Sequence, residues 1–269
     1  MSDLEPYIRL GAFGGVFLAM ALWEAAAPRR PQAIARSHRW PSNLGVVALD
    51  TALVRVLLPT SAVGAAVAAE EHTFGLFNVF AVPEWLAVLA SVVLLDFIIY
   101  LQHVLFHAVP ALWRLHRMHH TDLEFDVSTG LRFHPIEILL SMLLKLTVIA
   151  GLGAPPQAVL IFEVLLNATS MFNHGNVLLP PRIDRWLRWL VVTPDMHRVH
   201  HSIVPRETNS NFGFNLPWWD RLLGTYRDQP SAGHAAMTIG IDAFRDAREL
   251  RLDRMLVQPF KGGVGDYPM

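Results

Sequence analysis

The sequence predicts an all-α integral membrane protein, a helical bundle of about three spans plus a helical hairpin, with a histidine-rich helical cap on the cytoplasmic side. Three observations predict it. Of 269 residues, 52% are hydrophobic and only 17% charged, and the mean hydropathy is positive, which is not the balance of a water-soluble domain. Apolar runs long enough to cross a bilayer alternate with loops that are arginine-rich and arginine-poor by turns. Eight of the thirteen histidines fall in three tight boxes, HVLFH, HRMHH and HRVHH. A net charge of -1 supplies no basic field, so no nucleic-acid partner is expected. Cysteine is absent, which removes disulfides, thiolate metal sites and cysteine nucleophiles together.

The first apolar run extends from Tyr7 to Ala27. A cleavable signal peptide carries a positive n-region, whereas Asp3 and Glu5 stand here, so the run is read as a retained helix. Next comes PRRPQAIARSHRWPSN, whose Arg29, Arg30, Arg36 and Arg39 mark it as a cytoplasmic loop. A second run, Asn43 to Ala69, is interrupted by Asp50, Arg55 and Pro59 and is expected to kink near the proline, with Asp50 and Arg55 pairing or snorkelling. The loop from Glu70 to Pro83 has no lysine or arginine, as suits the opposite side. Pro83 opens a third span, EWLAVLASVVLLDFIIYLQ, which returns His103 to the cytoplasmic side.

After Pro135 two apolar runs are joined by the breaker GLGAPP, a hairpin that enters and leaves on one side. His134 before it and His174 after it therefore come back to the face that carries the boxes. PPRIDRWLRWLVV sets Ile183, Trp186, Leu187, Leu190 and Val191 on one helical face and Arg182, Arg185 and Arg188 on another, the pattern of a helix lying among lipid headgroups. Thr193, Pro194 and Asp195 offer an N-cap and first turn to the helix of the third box. From Asp228 the chain is polar and arginine-rich, with Ile241, Phe244 and Leu252 as the packing residues of a cytoplasmic helix. His38, His72 and His234 read as surface residues.

On a helix, His103 and His107 are one turn apart, and His116, His119 and His120 share a face, as do His197, His200 and His201. With His134 and His174 these make ten candidate metal ligands on one side of the membrane. A single ion accepts three or four protein ligands, so ten imidazoles imply two ions. Nitrogen ligation suits a first-row transition metal, and a redox role for the second ion points to iron. Neutral imidazoles leave the ions' charge uncompensated, so carboxylates are expected behind the rings. Asp96, seven residues before His103, and Asp195 are candidates for that place, with Asp122, Glu124, Asp126 and Asp220 further ones; Asn173 and Asn176 flank His174 and are candidates to orient its ring. No catalytic residue separate from the ligands is expected.

Two rival readings fit less well. Haem takes single axial residues from facing helices, not clusters of three. A zinc-dependent membrane hydrolase, or a metal-binding or transport protein without redox chemistry, is the remaining alternative; hydrolases usually add the carboxylate of a His-Glu-x-x-His arrangement, and transport sites lie near the bilayer midplane.

HVLFH, HRMHH, RFHP at Arg132 to Pro135, FNHGN at Phe172 to Asn176, and TPDMHRVHHS at Thr193 to Ser202, followed by NSNFG and WWDRLLGTY, resemble the fatty acid hydroxylase and sterol desaturase superfamily. The resemblance covers roughly Trp85 to Tyr226. It implies a membrane-bound non-haem di-iron oxidoreductase that uses O2 to hydroxylate or desaturate a C–H position of a fatty acyl, sterol or related lipid. It also implies that the eight box histidines are iron ligands, with His134 and His174 as additional family histidines. No dinucleotide or flavin motif is present, so electrons would come from a separate electron-transfer protein. The chain divides accordingly into N-terminal membrane helices and loops at 1–82, a hydroxylase-like catalytic domain at 83–227 and a cytoplasmic tail at 228–269.

Overall fold

The computed structural model describes residues 4–58 and 60–268, and no strand forms among them. Four stretches are long and apolar enough to cross a membrane: Glu5–Ala26, Arg36–Val79, Glu84–Ala108 and Pro135–Leu152. The first is a single helix, α1 (Glu5–Ala26). The second is broken into α2 (Arg36–Leu57), α3 (Ala62–Glu71) and α4 (Leu76–Val79). The kink expected at Pro59 lies outside the described residues; beyond it Ser61 caps α3 by accepting from the Gly64 N–H at 3.0 Å.

α2 starts seven residues before the expected position, and the reason is polar. Arg36, Arg39 and Asn43, which read as loop residues, are held in helix by Glu24, by Asp122 with Asp126, and by Ser128 respectively. The arginines of this linker therefore serve as internal ties as well as surface charge. Asp50 is buried and forms no ion pair with Arg55, which is exposed.

α5 (Glu84–Ala108) runs 25 residues, or about 37 Å at 1.5 Å per residue, against a hydrocarbon core of about 30 Å. His103 and His107 lie on its last two turns. Val109 is extended and Pro110 starts α6 (Pro110–His120), which folds back against α5 and sets the second box opposite the first.

The expected hairpin is α7 (Pro135–Leu152) and α8 (Pro156–Asn173). Gly153 ends α7 in the left-handed region at φ 64°, and Pro155 and Pro156 start the return. α3 and α5 each pack on both arms, around a core of Ala62, Ala66, Leu95, Ile99, Ile149 and Phe162. α1 lies along α8.

α9 (Pro181–Leu187) is shorter than expected. Ile183, Trp186, Trp189 and Leu190 are exposed there, but Arg188 is buried between Asp184 and Asp228 and does not join Arg182 and Arg185 at the surface. The third box is on α10 (Pro194–His200), capped by Thr193, whose hydroxyl accepts from the Met196 N–H. The tail after residue 228 does not form the expected helix through Ile241, Phe244 and Leu252; it forms turns and short helical pieces wrapped over α6, where Arg117 donates to the carbonyls of Gln258, Lys261 and Gly263 and Tyr267 stacks on Trp113.

Candidate metal centre

α5 and α6 face one another, and α8 and α10 close the space between them, so that nine of the ten expected ligands meet at one end of the bundle. They separate into two groups. His103, His107, His116, His120 and His200 form one, and His119, His174, His197 and His201 the other; in each, one ring nitrogen per residue lies within 4.8 Å of the rest. The helical repeat does the sorting. α6 sends His116 and His120, four residues apart, to the first group and His119 to the second, while α10 sends His200 to the first and His197 and His201 to the second.

Most rings are fixed from behind by oxygen. His103 Nδ1 donates to the Phe212 carbonyl at 2.7 Å, His107 Nδ1 to Asn209 Oδ1 at 3.0 Å, His116 Nδ1 to Glu137 Oε1 at 2.7 Å, His174 Nδ1 to the Ser170 carbonyl at 2.8 Å and His200 Nδ1 to the Ser210 carbonyl at 2.8 Å. An oxygen acceptor fixes the proton on Nδ1, so each Nε2 carries a bare lone pair. Yet His103 Nε2 and His116 Nε2 face each other at 3.1 Å, and His174 Nε2 lies 3.1 Å from both His119 Nε2 and His197 Nε2.

Between His103 and His116, both held by oxygen at Nδ1, two lone pairs do not bond. A cation between them resolves the conflict, and about 3.0 Å is the separation of two nitrogens each about 2.1 Å from one ion at a right angle. His107 Nε2, His200 Nε2 and both nitrogens of His120 and His201 are buried without any partner. Burial, reinforced by the neighbouring imidazoles, pushes His119, His120, His197, His200 and His201 well below their ordinary pKa. Burial brings His116 and His174 down to about 3. The rings are thus neutral at pH 7, the form that binds metal. The donor set fits two transition-metal ions.

His134 is not in either group. Its Nδ1 accepts from the Ile136 N–H at 3.2 Å as the N-cap of α7, and its Nε2 lies 3.2 Å from the Leu256 carbonyl, so both nitrogens are engaged elsewhere. The four residues expected to orient the rings do not touch them. Asp96 accepts from the N–H groups of Asn215 and Leu216 at 3.3 Å each and from Trp219 Nε1 at 2.8 Å. Asn173 donates to the Phe214 carbonyl, Asn176 to the Arg30 carbonyl, and Asp195 pairs with Arg29 and Arg198. His234, expected at the surface, is buried 3.6 Å from Asp195.

Asp96 and Asn173 act through the loop 209–216, which supplies the carbonyls behind His103 and His200. Asp220 completes the loop's support by accepting from the N–H groups of Phe212 and Gly213 at 2.8 and 2.9 Å. Two contributors were not singled out from sequence. Among the described residues Glu137 is the one carboxylate hydrogen-bonded to a ring of either group. At Gly130 a Cβ would meet His174 Nδ1 at 2.9 Å and the Ser170 carbonyl at 2.6 Å, so the backbone must pass there without a side chain. Glu137→Gln is expected to lower metal occupancy of the five-histidine group by about 10–100-fold in affinity, read by competition with a chelator. Unchanged affinity would leave Glu137 without a role behind His116.

A family model described as fatty acid hydroxylase matches residues 88–225. Similar curated proteins include ornithine lipid hydroxylase of Rhizobium tropici, 34% identical over 148 residues, which is 55% of this chain and 44% of that protein. Alkylglycerol monooxygenase of Xenopus tropicalis is 28% identical over 154 residues, 55% of this chain and 32% of its own length. Cholesterol 25-hydroxylase of Rattus norvegicus is 27% identical over 146 residues, 53% and 47% respectively. The matched part spans less than half of each of these relatives. No solved structure matches. With the histidine boxes all inside a matched region that is about half of its length, this chain belongs to the fatty acid hydroxylase family.

Proposed function

We propose that this protein is an integral membrane di-iron oxidoreductase that uses O2 to hydroxylate or desaturate a C–H position of a lipid, with electrons from a separate transfer protein. The observation that carries the reading is the pair of all-histidine groups, in one of which the unprotonated Nε2 atoms of His103 and His116 face one another. The names of the relatives, two hydroxylases and a monooxygenase, support it.

Two irons would be held by the nine histidines and would supply oxygen activation. The chain's own residues prepare the place. Phe212, Ser210 and Ser170 carbonyls, Asn209 and Glu137 fix the ring tautomers, so lone pairs point inward before any ion arrives. Phe133 stacks on His119 with centroids 4.4 Å apart and Phe214 lies 5.1 Å from His103, an apolar wall between the histidines and the cavity that both residues line. A cavity of about 620 Å³ leads from His103 and His116 down between α1, α2, α5, α7 and α8, with room for an acyl chain or ring. A cytoplasmic position for the centre is supported by the linker at 28–43, whose Arg29 and Arg39 bind the same end of the bundle as the histidines.

The test combines metal analysis of protein purified without added metal, oxygen uptake on reduction, and lipid mass spectrometry of cells with and without the protein. Close to two irons per chain, oxygen uptake and a lipid shifted by one oxygen or two hydrogens are expected. Zinc alone with no oxygen uptake rejects the reading.

A further inference from the structure

Behind the five-histidine group one support differs in kind from its neighbours. His103 and His200 are held by the carbonyls of Phe212 and Ser210, which only accept. His107 is held by the Asn209 side-chain amide, which carries an acceptor at one end and a donor at the other. Turned round, the same amide would offer an N–H to His107 Nδ1. The ring proton would then stand on Nε2, the atom that is buried without a partner, and that nitrogen would have no lone pair for an ion.

The direction of the amide is chosen from far along the chain. Asn209 Nδ2 donates to the Tyr267 backbone carbonyl at 2.6 Å. A carbonyl cannot donate, so the NH2 end of the amide has to face Tyr267, and the oxygen is left for His107.

Tyr267 is itself fixed. Its ring stacks on Trp113 with centroids 5.5 Å apart, and its buried hydroxyl donates to the Ile203 carbonyl and accepts from the Asp242 N–H, at 3.0 Å each. Trp113 donates from Nε1 to the Val264 carbonyl at 3.1 Å and lies against the rings of His107 and His120, with centroids 4.9 and 5.4 Å away. The chain leading to Tyr267 is tied to α6, the helix of the second box. Arg114 donates to the carbonyls of Pro259 and Gly262, Arg117 to those of Gln258, Lys261 and Gly263, and the Thr121 hydroxyl to the Gln258 side chain. The four-histidine group is supported from elsewhere: His174 by the Ser170 carbonyl of α8, and His119 by its stack on Phe133.

We propose that segment 258–267 is a positioning strap for the five-histidine group. Through the Tyr267 carbonyl it sets the Asn209 amide, and through Asn209 it keeps the His107 proton on Nδ1 and leaves Nε2 free for the ion. Tyr267 thus acts on the metal centre by its backbone, without touching an ion. The inference rests on the two-ion reading above for the ion, though not for the tautomer. Its consequence is that the two groups respond differently to a change in the tail.

Two measurements on the full chain in detergent test it. In metal-free protein carrying nitrogen-labelled histidine, the His107 ring signals, assigned by their loss in His107→Gln, are expected to show a protonated Nδ1 and a bare Nε2. In Tyr267→Gly a mixture of the two tautomers is expected. Cobalt(II) is then titrated against a competing chelator. Tyr267→Gly is expected to weaken one of two binding steps by about tenfold and to leave the other in place. Asn209→Asp supplies a carboxylate that accepts from His107 whether or not the strap is docked, so adding Tyr267→Gly to it should weaken neither step further. The proposal is overturned by a proton on Nε2 in the native protein, by equal or no weakening of the two steps in Tyr267→Gly, or by the same tenfold loss in the Asn209→Asp background. The native tautomer is readable even where a variant does not fold. A native protein that keeps the proton on Nδ1 but binds no cobalt sinks the two-ion reading and keeps the tie to His107; two bound ions with the proton on Nε2 do the reverse.

Discussion

His119→Ala is expected to lower iron from about two ions per chain to about one and to cut lipid oxidation by more than about 100-fold, beyond the 10–100-fold typical of residues behind a ligand. The argument is one of ligand number. His119 belongs to the four-histidine group, so its loss leaves three imidazoles, His174, His197 and His201. His200 belongs to the five-histidine group, so His200→Ala leaves four, a full protein set for one ion. His200→Ala should therefore retain more iron than His119→Ala while still impairing turnover. His134→Ala is the control. With its nitrogens on Ile136 and Leu256, it should keep both ions and lose only about 1 kcal/mol of helix capping. Iron analysis and product formation on membrane-inserted protein decide the matter. Full turnover in His119→Ala, or loss of iron in His134→Ala, contradicts the two-group arrangement.

His134 also shows where sequence reading stops. A histidine before Pro135 at the mouth of the hairpin looks the same in sequence whether it binds an ion or caps a helix. The boxes were legible because ligation from a helix requires spacings of three and four, which a sequence displays directly. Their division between two ions was not, since that depends on how α10 meets α6 in space. The residues behind the rings were misjudged for a physical reason. Carboxylates were expected there, but Phe212, Ser210 and Ser170 use backbone carbonyls, which every residue has and no sequence distinguishes. Asp96, chosen as a carboxylate deep in a span, turns out to hold the loop that presents the Phe212 and Ser210 carbonyls. The same criterion applied to the first turn of α7 would have found Glu137. The order of the helices was legible from the apolar runs, whereas the linker at 28–43 was read by its charge alone and its Arg29, Arg36 and Arg39 are tied to carboxylates of the bundle.

Among those arginines, Arg39→Met is expected to destabilise the protein by about 3–5 kcal/mol, the cost of leaving buried charge without its partner. Arg39 is wholly buried; its guanidinium meets both oxygens of Asp122 at 2.7 Å, Asp126 at 2.6 Å and the Thr129 hydroxyl at 3.1 Å. The tie fastens α2 to the segment that follows the second box. Burial alone would raise Asp122, but Arg39 and Arg132 beside it hold it well below the usual carboxylate range. Its contribution to stability is thus present above the ordinary carboxylate pKa of about 4 and is lost as pH falls toward the depressed value. In Arg39→Met that acid-side dependence should weaken, because the unfolded and folded pKa values of Asp122 draw together. Arg39→Lys should recover little, since an ammonium cannot replace a fork that spans both oxygens of one carboxylate and one of another. Combining Arg39→Met with Asp122→Asn and Asp126→Asn should cost less than the three changes summed, because the uncompensated charges leave together. Thermal midpoints in one fixed detergent at several pH values read all of this; an Arg39→Met protein as stable as the parent would show that the charge network does not hold α2 to the cap.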